Sequence, residues 1–318
     1  MIRSEHFERL TSPEAQRALF KQSVELVEIE THTYCNRVCW FCPNSKIDRR
    51  STNRRMDHDL YLSIIDQLAE IGYDKTITYS RYNEPLADRS ILSRIMCASA
   101  RLPHATLMTH TNGDYLDGPY LLELREAGLD HLRVQVYLGN EDRFDDWRIV
   151  QRMVKRLDDL GLPYEFVDEQ PGVRYEAWVT CAGMKVSFEA TNFEAVGLDR
   201  GQTVDVGRHY ERTAPCLVVF RSLYIDWDGS VVPCCNVRSD EPTHASYVIT
   251  KLSPERTIFQ AYADSALAEW RRSLVNDGPH KPPCSTCSYA LPSEDDHETL
   301  RRWRRLARPK GRQAQAHR

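Results

Sequence analysis

The stretch "SVELVEIETHT", Ser23 to Thr33, alternates apolar and polar positions through Val24, Leu26, Val27 and Ile29, the pattern of a strand. A helical pattern begins at Asp57, with Leu60, Ile64, Ile65 and Leu68 three or four apart, and ends near Gly72. The same alternation then repeats. Short strands are expected at Lys75 to Ser80, Ala105 to Gly113 and His131 to Gly139. Between and after them run helices from Arg89 to Ala100, over "PYLLELREAGL" with Gly128 as its cap, and from Arg143 to Leu160, closed by Gly161. Further strands are expected at Tyr164 to Val167, Ala177 to Cys181 and Val186 to Ala190. Strands alternating with helices at roughly 25 to 30 residues per unit predict an α/β fold with a parallel sheet. In such sheets chemistry gathers at the C-terminal ends of the strands. Three polar stretches fall there: a cysteine-rich loop after the first strand, an Asn-Glu-Pro turn after the second and a Thr-Asn-Gly turn after the third. Past Arg200 the pattern changes. "CLVVFRSLYIDWDGSVVPCCN" predicts a hairpin turning at Asp228-Gly229, followed by a helix from about Pro254 to Leu274 and the Pro-rich "GPHKPPCSTC".

Composition narrows the class. Of 318 residues, 41% are hydrophobic and 28% charged, as in an ordinary globular protein, and the net charge of −4 gives no reason to expect nucleic acid as a partner. There is no run of about 18 apolar residues to span a membrane, and the charged N-terminus has no apolar core of a signal peptide. The Arg-rich stretch "RRWRRLARPKGR" after Glu298 reads as a solvated helix end. A cytoplasmic location is expected, where thiols stay reduced, so the ten cysteines need an explanation other than disulfides.

Cys35, Cys39 and Cys42 lie within eight positions, spaced C-x3-C-x2-C. A zinc site wants four ligands, and only His32 is near enough in sequence to be a fourth. Three thiolates suit a four-iron cluster with one iron left open to a small molecule. With Phe41 as the aromatic before the last cysteine, the loop resembles the signature of the radical S-adenosylmethionine (SAM) enzymes. The resemblance covers about residues 24 to 200 and implies a partial (β/α)6 TIM-like barrel. It also implies a [4Fe-4S] cluster whose open iron is chelated by SAM, and cleavage of SAM to a 5′-deoxyadenosyl radical. Glu84 in "YNEP" matches the family's "GGEP" turn, which contacts the SAM amino group, although Tyr82 and Asn83 stand where the family has two glycines. Phe41, Asn83, Thr111 and Asn112 are expected around SAM as well, and by strand alternation Arg133 and Gln135 on the fourth strand are expected to face the barrel interior beside it.

Cys216, the G-x4-C pair Gly229 and Cys234, and the Cys284-x2-Cys287 pair form a second set. They resemble the auxiliary-cluster domain of SPASM and twitch radical SAM enzymes, a small C-terminal domain of β-hairpin plus helix. Four cysteines fit one auxiliary [4Fe-4S] cluster; a structural zinc site is the alternative. The expected organisation is an N-terminal extension (1–23), a radical SAM core (24–205), an auxiliary domain (206–295) and a basic tail (296–318). Adjacent residues of an extended segment point to opposite faces, so beside a ligating Cys234 the thiol of Cys235 is free. In the family's epimerases a free cysteine returns hydrogen to the substrate radical, which makes Cys235 the candidate catalytic thiol, with Cys181 and Cys97 as rivals. The resemblance thus implies a radical SAM oxidoreductase or epimerase acting on an aminocyclitol or sugar, served by an electron donor such as flavodoxin or ferredoxin. A peptide-modifying enzyme and a non-catalytic iron–sulfur or zinc scaffold are the alternatives.

Overall fold

The computed structural model describes residues 4–206, 210–293, 296, 297, 300 and 301. The first helix, α1 (Pro13–Ser23), starts on Ser12, whose hydroxyl accepts from the Ala15 amide, with Pro13 in the first turn where no amide donor is needed. It lies within the segment read from the sequence as an extension, and leads into β1 (Leu26–Ile29). Three strand–helix units follow: α2 (His58–Glu70) and β2 (Thr76–Thr78), α3 (Ser90–Arg101) and β3 (Thr106–Thr111), α4 (Gly118–Glu126) and β4 (His131–Gln135). Next come α5 (Asp146–Leu160), the strands β5 (Tyr164–Gln170), β6 (Arg174–Val179) and β7 (Lys185–Thr191), and the short α6 (Phe193–Val196). Asp57, Asp117 and Asp145 cap α2, α4 and α5 through their side chains, and α5 stops at Gly161 with φ +65°.

The C-terminal part contributes α7 (Val218–Arg221), β8 (Ser222–Ile225), β9 (Ser230–Val232), β10 (Thr250–Lys251), α8 (Ile258–Tyr262) and α9 (Ser265–Leu274). The single helix expected over 254–274 is therefore two, because Asp264 caps a new start. All ten strands form one sheet in the order β10-β9-β8-β1-β2-β3-β4-β7-β6-β5. Six of them, β8, β1, β2, β3, β4 and β7, run parallel, the partial barrel; the β5–β6 hairpin and β9–β10 extend it antiparallel at either edge. The sixth parallel strand comes from the expected hairpin: β8 pairs with β1 from Leu26↔Ser222 to Ile29↔Ile225 before turning at Asp228-Gly229 into β9.

The two faces of the sheet differ in chemistry. Val27, Ile29, Ile77, Leu107, Leu132 and Val186 are buried on the face that carries the helices, and with Ile64, Ile65 and Leu68 of α2 and Met153 and Leu157 of α5 they belong to one continuous core. Each such side chain stabilises the fold by about 1.5–3 kcal/mol through burial. The alternate positions, Glu28, Thr78, His110, Arg133, Gln135 and Glu189, share the other face by register and give it a polar lining. Among the described residues no helix is long and apolar enough to cross a membrane.

Candidate active site

The loop leaving β1 carries Cys35, Cys39 and Cys42. Backbone bonds shape it, from the Cys42 amide to the Cys39 carbonyl (2.9 Å) and from the Cys35 amide to the Arg49 carbonyl (3.2 Å). The three thiols line a cleft of about 560 Å³, mouth included, together with Phe41, Asn83, Glu84, Thr111, Asn112 and Gln135. The first-set residues expected from sequence thus meet in one place, apart from Arg133. That guanidinium instead bonds Glu189 of β7 (Nε to Oε1, 2.7 Å), and the Gln135 amide donates to the other oxygen of the same carboxylate at 2.9 Å.

Glu84 is buried, and its carboxylate is held on three sides. Oε1 accepts from the Thr111 hydroxyl (2.5 Å) and the Leu86 amide (3.0 Å), and Oε2 from the Asn112 amide (2.7 Å). Burial pushes its pKa up to about 7 despite these bonds. Oε2 keeps a lone pair for one more donor. Asn83 adds a sharper sign of a missing partner: its Oδ1 accepts from the Arg81 amide, but its buried Nδ2 has no hydrogen-bond partner in the protein. Phe41 stacks on Phe193 with ring centroids 4.0 Å apart and leans on Tyr137, which fixes the aromatic wall. Burial lifts the Cys35 and Cys39 thiols up to about 12, so only a strongly cationic partner such as iron would hold them as thiolates.

The second set also converges. Cys216, Cys234, Cys284 and Cys287 line one cavity, with Arg212, Asn236 and Trp270. Arg212, almost wholly buried, fastens this region by donating to the carbonyls of Cys287 (3.0 Å), Tyr289 (2.6 Å) and Pro215 (2.5 Å). The Cys287 sulfur accepts from the Tyr289 amide at 3.4 Å and from the Asn236 amide group at 3.7 Å, contacts that a cluster-bound thiolate favours. Among the described residues no three His, Cys, Asp or Glu side chains come together as tightly as one metal ion requires. A four-iron cluster binds each thiolate at a different iron and so needs them spread around a cavity, which both sets are. Donor sets made only of thiols, three in one cavity and four in the other, suit iron–sulfur clusters.

Cys235 is absent from the lining of the four-cysteine cavity and lies electrostatically among Glu28, Arg200 and Arg81. Burial first, and Glu28 second, lift its thiol up to about 12 and keep it protonated. Its carbonyl accepts from the Tyr82 hydroxyl at 2.7 Å, and Tyr82 lines the three-cysteine cleft, so one side chain spans from one site to the other. Of the rival thiols, Cys97 accepts from Arg101 at 2.7 Å on α3 and Cys181 lies beyond β6; neither lines a cavity described above. Several lining residues were not expected as site residues from the sequence. Tyr82, Arg81, His110, Tyr137 and Asn44 line the cleft, and the Arg200 guanidinium faces Tyr82, Cys235, Cys42 and Tyr137. Strand alternation marks His110 once its neighbour Gln135 is placed inward; the others are placed by loops, with no local signal.

Comparison with known proteins finds a family match over each part of the chain. Residues 29–178 match the radical SAM superfamily model, and residues 216–288 match the SPASM iron–sulfur cluster-binding domain. The chain is 32% identical over 119 residues to the S-adenosyl-L-methionine-dependent 2-deoxy-scyllo-inosamine dehydrogenase of Niallia circulans, a match spanning 37% of this chain and about half, 47%, of that relative. Its fold resembles the structure of BtrN in complex with AdoMet and 2-DOIA, with a TM-score of 0.57 and 22% identity over 79% of this chain and 87% of that one. An open conformation of BtrN gives 0.55 and 19% identity over 86% and 97%.

Proposed function

Because the chain belongs to the radical SAM superfamily, with a SPASM-type iron–sulfur domain at its C-terminal end, we propose that it oxidises or epimerises an aminocyclitol or sugar-type small molecule. In this reading Cys35, Cys39 and Cys42 hold the SAM-binding cluster, and Cys216, Cys234, Cys284 and Cys287 hold the auxiliary one. When bound at the first of these sites, a [4Fe-4S] cluster together with SAM would supply one-electron cleavage of SAM and hydrogen-atom abstraction from the substrate. Glu84 Oε2 and the unpartnered Nδ2 of Asn83 receive the amino-acid end of SAM, and Thr111 and the Asn112 amide fix the Glu84 carboxylate for that contact. The polar inner face, with Glu28, His110, Gln135 and Glu189, receives a hydroxylated substrate. An electron donor such as flavodoxin or ferredoxin serves the first cluster.

The observation that carries the proposal is the join between the sites: Tyr82 lines the three-cysteine cleft and bonds the backbone next to Cys234. A substrate held in the cleft is thereby within one side chain of the four-cysteine site, where an electron can leave. Dehydrogenation is the first reading, supported by the partial match to a dehydrogenase. Epimerisation is favoured by the protonated thiol of Cys235, which does not line the four-cysteine cavity.

The test uses reconstituted protein, SAM, a reductant and 2-deoxy-scyllo-inosamine deuterated at its ring carbons. Deuterium in 5′-deoxyadenosine with a ketone product supports dehydrogenation. An inverted alcohol carrying one deuterium after turnover of the unlabelled substrate in D2O supports epimerisation, and Cys235→Ala then abolishes inversion while still forming 5′-deoxyadenosine. No transfer from this or related aminocyclitols and sugars would end the small-molecule proposal.

A further inference from the structure

We infer that Arg238, in the C-terminal part of the chain, is a positioning residue for the three-cysteine site and acts through Asn44. The inference rests on the reading that Cys35, Cys39 and Cys42 hold a cluster.

Arg238 is fully buried. Its Nε and Nη2 donate to the two oxygens of Asp240 at 2.8 and 2.9 Å, which fixes the plane of the guanidinium. Nη1 is left to donate to Asn44 Oδ1 at 3.1 Å. The guanidinium also lies over the Tyr82 ring, 4.4 Å from its centroid. Asp240 is held in turn by Arg49, through Nε at 3.1 Å and Nη2 at 2.7 Å. Arg49 Nη1 reaches Glu30 Oε1 at 2.6 Å, and the same oxygen accepts the Tyr82 amide at 3.2 Å. This buried network ties the cysteine loop to a segment more than 190 positions away, the Arg238–Asn44 contact spanning 194.

The network forces the orientation of one amide. Arg238 can only donate, so the Asn44 group facing it is the oxygen; the Tyr82 carbonyl can only accept, so the group facing it, at 2.7 Å, is Nδ2. Asn44 lines the cleft together with Cys35, Cys39 and Cys42, two positions after the last of them. Arg238 therefore occupies the oxygen end of Asn44 and holds the amide in one orientation at the cleft that the three thiols line. Hydrogen bonds to cluster sulfurs and nearby positive charge both make a cluster easier to reduce. None of Arg238, Asp240 and Asn44 lines the four-cysteine cavity, so the effect falls on one cluster.

The experiment reconstitutes the full chain as wild type, Asn44→Ala, Arg238→Met, Arg238→Lys and the Asn44→Ala/Arg238→Met double variant. Iron and sulfide are counted, and each cluster's midpoint is titrated by electron paramagnetic resonance, the first cluster being the one whose signal changes with SAM. The expected result is wild-type iron content and a lower midpoint for the SAM-responsive cluster in Asn44→Ala and in Arg238→Met. The double variant moves no further than the larger single shift, Arg238→Lys falls between, and the second cluster stays put. Full clusters with an unmoved SAM-responsive midpoint in Asn44→Ala and Arg238→Met would overturn the inference. Should Arg238→Met fail to fold, the same two outcomes in Asn44→Ala decide. A wild-type protein with no SAM-responsive cluster would instead remove the reading beneath it.

Discussion

At the residue scale the first cysteine set was legible because its meaning is local: three thiols and an aromatic at fixed spacing need no tertiary information. Glu84, Thr111 and Asn112 were legible for a related reason, since each lies at or just beyond the C-terminal end of a strand and parallel strands bring those ends together. Arg133 shows the limit. Its inward position followed from alternation, but not the neighbouring Glu189 that occupies it, because the order in which β7 joins β4 is written nowhere near either residue. Glu84 also yields a pH prediction. Its free-site pKa is near 7, and a cationic amine binds only the ionised form. Below pH 7 binding must first remove a proton, so SAM affinity should fall by about tenfold per unit as pH drops and level off above it. Equilibrium dialysis of the reconstituted protein from pH 5.5 to 8.5, values set on either side of about 7, measures this. Glu84→Gln should bind SAM at least about tenfold more weakly, with little pH dependence. An unchanged slope in that variant would assign the titration to another group.

At the element scale, α2 to α5 and the strands between them followed from apolar spacing and, for α2, α4 and α5, from terminal glycines. The helix α1 was not anticipated because Leu19 and Phe20 give its short polar sequence little periodicity; its visible signal was the Ser12-Pro13 start. The parallel pairing of β8 with β1 was also hidden, since a hairpin sequence says nothing of which sheet it joins. That pairing has a consequence for how the chain divides. Removing everything after residue 205 would strip β1 of one of its two neighbours and leave Val27 and Ile29 on an open edge strand. We expect the 1–205 fragment to aggregate or to lack a cooperative thermal transition by circular dichroism. A soluble fragment with a sharp transition would show that the core folds without β8. A milder test is Leu223→Ala in β8, a nearly fully buried side chain, expected to cost about 2–5 kcal/mol in a denaturant titration.

At the scale of the whole molecule, one sheet carries both cysteine sets: the first on the loop after β1, the second around the β8–β9 hairpin beside it. Adjacent strands thus place two cysteine-lined sites side by side, with the Tyr82 side chain reaching from the first to the Cys235 backbone beside the second. Two separate clusters with distinct ligands are the core of this account, and counting iron and acid-labile sulfide after anaerobic reconstitution tests it most directly. Wild type should hold about eight irons and eight sulfides per chain, and the Cys35/Cys39/Cys42→Ala triple variant about four of each. A triple variant with no iron, or a wild type that binds zinc without sulfide, would contradict it.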